Sequence, residues 1–220
     1  MTVLDLVREL PDIDTLRARC RAIAALEVVL NDDPGSRYFG YDPDWAEGRE
    51  LAWMRNGSGD EYSIVFQEAG VFIRGFDHES AMSPFVSDDG ELWPGLVDEL
   101  PTDFADLVEE PAFCLDDLLA ATVVVWRRWN GNRWQCGEIV FPAGDDPDGA
   151  RWLFQVVAVD GTEGYHGFAQ DYYQRELDYR AVREVLRQAP LTAELTRRLA
   201  PGADWARVRH EVSALGWPVG

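Results

Sequence analysis

The sequence predicts an α+β fold: an antiparallel sheet of about five strands with an N-terminal helix and a C-terminal group of helices. Three observations predict it. Apolar residues near the start recur at three- and four-residue steps. Short β-rich runs separated by Gly and Asn turns fill the middle. Capped segments with helical spacing follow from about residue 146 to the end.

The first helix begins near Asp12 or Asp14, where acids beside Pro11 suit the free N–H groups of a helix start. Ile13, Leu16, Cys20, Ile23, Leu26 and Leu30 form one buried face, and Asn31-Asp-Asp-Pro-Gly35 ends the element. A three-stranded meander follows, over 51–55, 61–67 and 71–78, turning at Asn56–Gly59 and Glu68–Gly70. Residues 79–95 read as an acidic loop and 96–109 as a short helix interrupted by Pro101. Thr122–Trp129 and Arg133–Phe141 predict a hairpin about Asn130-Gly131, because Asn-Gly tolerates the positive φ angles of a type I′ turn. Trp126 and Trp134 are then cross-strand neighbours. The remainder predicts helices near 146–158, with a strand over 152–159 as the alternative, and near 163–175, 178–188, 192–199 and 204–215. The whole reads as one domain over 1–220, with 141–149 as the only candidate internal boundary.

Charge is concentrated. Residues 31–120 hold 22 Asp and Glu against 4 Arg, in a chain of net charge −20 whose basic side chains are all Arg. Such a chain repels nucleic acid and anionic membrane and attracts basic proteins. No run approaches a membrane span. The start lacks the pattern of a secretory signal. Three distant cysteines, Cys20, Cys114 and Cys136, read as reduced thiols of a cytoplasmic protein rather than as disulfides or zinc ligands.

Two regions are candidate sites. Pairing of the second and third strands brings Asp60 and Glu61 beside Asp77, His78 and Glu79 at one sheet end. Carboxylates around an imidazole suit a divalent cation or an acid–base pair; they equally suit a solvated strand end. The other region is the acidic loop with Asp88, Asp89, Glu91 and Trp93. An aromatic ringed by acids has the composition of a hot spot facing a basic protein, or Trp93 is folded under the loop as an anchor. No nucleophile elbow, phosphate-binding loop or EF-hand spacing occurs, so no catalytic residue, metal or cofactor is assigned.

The segments Asn56–Tyr62, Gly75–Ser80, Trp93–Gly95 and Glu110–Phe113 resemble a set of uncharacterised bacterial cytosolic proteins, a resemblance covering mainly residues 51–141. In charge and size the chain is also loosely similar to acidic immunity proteins of bacterial toxin systems. That resemblance implies a non-enzymatic inhibitor that masks a basic protein. The expected function is therefore a protein-binding module, with its acids gathered on one face and including some of Asp88, Asp89, Glu91, Asp98 and Glu99. A metal-dependent or acid–base hydrolase centred on His78 is the alternative. A third reading gives the charge no role beyond solubility. The oligomeric state is left open.

Overall fold

β1 (Phe39–Ala46), β2 (Arg49–Arg55), β3 (Glu61–Gln67) and β4 (Gly70–Phe76) run as an antiparallel meander in a computed structural model that describes residues 2–86, 90–158 and 161–220. β5 (Cys114–Leu115) and β6 (Leu118–Leu119) pair with each other alone. β7 (Val123–Arg128) returns to lie antiparallel to β4, giving the order β1-β2-β3-β4-β7. The architecture is the α+β fold that the sequence predicts.

The alternation of side chains along each strand divides the core in two. Tyr62, Ile64 and Phe66 of β3, with Ile73 of β4 and Val125 of β7, face the helices. Val65, Phe72, Val124 and Trp126 face the opposite layer, where they meet Leu96, Phe104, Leu107 and Phe113. β3 and β4 are buried on both faces, so they read as continuous apolar runs rather than alternating ones. Each large side chain buried this completely contributes about 1.5–3 kcal/mol.

The helical layer consists of α1 (Val3–Glu9), α2 (Ile13–Leu30), α3 (Ala150–Ala158), α4 (Gly161–Tyr173), α5 (Tyr179–Leu186), α6 (Ala193–Leu199) and α7 (Trp205–Ala214). Side-chain caps start several of them. Asp12 accepts from the Thr15 amide at 3.0 Å, and Asp204 accepts from the Ala206 amide at 2.9 Å. α2 lies at the centre. Its Glu27 is fully buried and accepts from the hydroxyls of Tyr165 (2.7 Å) and Tyr173 (2.8 Å) and from the amides of Tyr38 (2.9 Å) and Phe39 (3.3 Å). Burial pushes this carboxyl above its ordinary range, against the pull of those four donors.

α1 is held from a distance. The buried Asp148 accepts from the Val3 amide at 2.7 Å and from the Ala150 amide at 3.1 Å, so one carboxylate joins the starts of α1 and α3. Burial raises its pKa to about 6 despite these bonds. Among the described residues, no helix is long and apolar enough to cross a membrane.

The opposite layer is built from the acidic middle of the chain. Residues 79–120 contain 12 acids and no Arg, Lys or His. Their described part holds 3-10 turns at Thr102–Val108 and Pro111–Phe113 and the short β5–β6 pair, where the sequence predicts a helix over 96–109. Arg74 of β4, fully buried, reaches into this layer and bonds Glu61 and the Ala120 carbonyl.

The predicted hairpin needs correction. Its first half is β7, but Arg133–Phe141 forms no strand; it makes a single bridge, Trp126 to Gln135. Neither Asn130 nor Gly131 has positive φ, so the turn is not type I′. Trp126 and Trp134 are not cross-strand partners: they enter the cores on opposite faces of the sheet. The fifth strand is instead β1, at the sheet edge, where Pro43 is tolerated at a register shift between Asp42 and Ala46.

Candidate functional site

Gly95 and Gly137 create the site's frame. A Cβ at Gly137 would stand 1.8 Å from the Gly95 carbonyl oxygen, and one at Gly95 would stand 2.0 Å from the Glu138 carbonyl oxygen. Two loops thus cross backbone on backbone, which only glycines permit. The Trp93 indole N–H donates to the Val140 carbonyl at 3.0 Å and ties the same two loops together.

Beside this crossing lies a cavity of about 740 Å³. Its apolar lining comes from Met82, Leu92, Trp93 and Val140. Met82 is buried, Trp93 is half-buried, and Val140 is 84% exposed. Its charged lining is Glu91, Asp98, Glu99 and Glu138, all exposed, with no basic residue among the described lining. An apolar floor under a rim of one sign both buries a partner's apolar group and selects its charge.

Two other acids of this layer are paired. Asp103 pairs with Arg128 at 2.7 Å and Asp106 with Arg49 at 2.5 Å. Of the residues named from sequence, Glu91 and Trp93 line the groove, as do Asp98 and Glu99. The Trp93 indole N–H anchors the loop, and the residue forms part of the groove wall. Asp88 and Asp89 lie outside the described residues. Glu138, Val140 and Met82 carry no sequence signal for this place: Glu138 and Val140 come from the stretch read as a strand, and their position follows from the glycine crossing.

The second candidate assembles as expected, with one exception. Asp60, Asp77 and His78 offer ligand atoms within 4.8 Å of one another. His78 Nδ1 lies 2.6 Å from Asp60 Oδ1, and the His78 amide donates to the same oxygen at 2.9 Å. The other Asp60 oxygen accepts from the Asn56 side chain at 2.6 Å. Asp77 accepts from the Glu79 amide (3.1 Å) and from the Trp152 indole (3.0 Å). Every carboxylate oxygen of the pair already holds an N–H donor, which fixes the turn at 56–60 and docks α3 on the strand end. Glu61 is the exception: it turns to the opposite layer and pairs with Arg74 and, at 3.5 Å, with Arg55. Glu79 is exposed.

The electrostatics are those of an oriented imidazole. The Asp60 hydrogen bond raises the His78 pKa, helped by the charges of Asp60, Glu79 and Asp77. Burial raises the Asp60 pKa, but the bonds from His78 and Asn56 outweigh it and hold the carboxyl below its ordinary range. Nδ1 is engaged while the side chain is 41% exposed, as in a base held by an orienting carboxylate. Ser80 adds no nucleophile: its hydroxyl is buried and donates to the Pro147 carbonyl at 2.6 Å.

The thiols show no activation. Burial pushes Cys20 to about 12 and also raises Cys114 and Cys136, the reverse of a reactive thiolate. Comparison with protein-family models, with curated proteins and with solved structures finds no match to this chain.

Proposed function

We propose that this protein is a binding module for a basic protein, and that the Trp93 groove is its docking surface. The observation that carries the reading is the groove's lining, in which, among the described residues, four carboxylates and no basic residue surround an apolar floor. A partner of matching chemistry presents an apolar side chain flanked by Arg or Lys. The chain's net charge of −20 steers such a partner over distances where contact chemistry has no reach. An inhibitor that masks a basic enzyme, as in toxin–immunity pairs, fits the same description.

The test compares captured proteins. Immobilised wild-type protein is set beside Trp93→Ala and beside a groove variant (Glu91→Gln, Asp98→Asn, Glu99→Gln, Glu138→Gln). A control neutralises four exposed acids elsewhere, Glu109, Asp171, Glu176 and Glu194. One basic protein held near one-to-one by the wild type and the control, and released by both groove variants, supports the reading. Equal retention by all four proteins rejects it.

The oriented imidazole favours a second reading, an acid–base or metal site at His78. The bond from Asp60 leaves Nε2 available to a substrate proton or a cation. Saturable zinc or manganese binding that disappears in His78→Gln supports it, and binding unchanged in that variant rejects it for metals.

A further inference from the structure

A second cavity, of about 590 Å³, lies among α2, α4 and α5 and shares no lining residue with the groove. Its charge is opposite. Arg183 lies in the last turn of α5, Arg187 caps its C-terminal end four residues on, and Arg19 enters from α2. Glu163 is the one carboxylate among the described lining residues.

The arginines differ in their commitments. Arg19 donates through Nη1 to the carbonyls of Val157 (2.6 Å) and Ala158 (3.1 Å), which fixes its guanidinium in the wall. The acids nearest Arg183 and Arg187 along the chain are engaged elsewhere: Arg198 of α6 takes Asp178 at 2.9 Å and Glu184 at 2.8 Å. No described carboxylate pairs with Arg183 or Arg187. The wall between them is firm, since the Gln188 side chain donates to the Ala18 carbonyl at 3.0 Å and joins the end of α5 to α2.

We propose that this cavity binds a phosphate-class dianion, either inorganic phosphate or the phosphate end of a small organic ester. Two forked guanidinia four residues apart can pair with oxygens on two sides of a tetrahedral anion, a geometry that ammonium groups do not supply. The cavity is larger than one phosphate, and Leu186 and Tyr179 in its lining give an organic group apolar contact. The field of a −20 chain repels anions at long range, so retention comes from these short contacts.

Isothermal titration with inorganic phosphate, and separately with glycerol 3-phosphate, tests the site. The expected result is saturable one-site binding that weakens about tenfold in Arg183→Gln and again in Arg187→Gln. Arg180→Gln, on the same helix and outside the lining, leaves it unchanged. Tighter binding of the ester assigns the site to a phosphorylated metabolite, and equal binding assigns it to phosphate itself. No saturable binding of either probe, or equal affinity in all three variants, overturns the proposal. All three positions are exposed, so unchanged thermal melts are expected and separate lost binding from lost folding.

Discussion

Gly137 passes under Gly95 so closely that a methyl group on one would overlap the carbonyl oxygen of the other. The groove exists because these two positions, far apart in the chain, both lack a side chain.

Gly137→Ala should therefore destabilise the protein by about 1–3 kcal/mol and weaken partner binding, since a backbone oxygen gives way less readily than a flexible side chain. Gly137 lacks positive φ, so the effect is steric alone. Gly167→Ala, in α4 with open space around it, should stabilise by up to about 1 kcal/mol. Urea unfolding of both variants measures the contrast, and equal stabilities would remove the crossing from the account.

Glu27 joins α2 to β1 and α4 through four donors. Glu27→Ala leaves two hydroxyls and two amides without their acceptor and should cost on the order of 4 kcal/mol. Tyr165→Phe removes one donor and should cost about 1 kcal/mol. Chemical denaturation orders the two, and a larger loss for Tyr165→Phe would contradict Glu27 as the hub.

Asp148 makes stability depend on pH in a sense opposite to most carboxylates. Its folded pKa, about 6, lies above the ordinary 3.8, so between those values the folded state holds the extra proton. The group's contribution is most favourable below pH 3.8 and declines as pH rises to 6. Asp148→Asn removes this decline, so the variant's stability relative to wild type should rise across that window by about 1–3 kcal/mol. Thermal melts from pH 4 to pH 7 read the difference, and parallel curves would refute it.

His78 should titrate above the ordinary histidine range because Asp60 holds its ring. Asp60→Asn should bring the midpoint back down. This pair stabilises the fold while His78 is protonated, and the stabilisation is lost as pH rises through the raised pKa. Proton NMR of the ring follows the midpoint, and an unchanged value in Asp60→Asn would deny the coupling.

Much of this fold is written locally. α2 follows from its apolar spacing and Asp12 cap, and α5, α6 and α7 from Asp178, Thr192 and Asp204. β2, β3 and β4 follow from turns at Gly57 and Gly70, both with positive φ. β1 was hidden because Asp42-Pro43-Asp44 reads as a break, and only an edge position with a register shift accommodates it. α1 is too short to show a period, and Asp148, far along the chain, completes its start. Arg133–Phe141 has strand composition, yet the approach of Gly137 to Gly95 draws it away from β7, so tertiary packing overrides local preference. The Asp60–His78 contact was legible from strand pairing, whereas Glu61 pointed elsewhere because Arg74 needed a buried partner. The groove was half legible: Glu91 and Trp93 stood out, but Glu138 and Val140 arrive through a crossing that no local pattern records.

The most direct measurement is the association rate of the captured basic partner as ionic strength rises, for wild type and for the variant with Glu91, Asp98, Glu99 and Glu138 neutralised. The account predicts a rate that falls steeply with salt for the wild type and is slower and nearly flat for the variant. The same salt dependence in both proteins would place the binding surface away from the Trp93 groove and contradict the account.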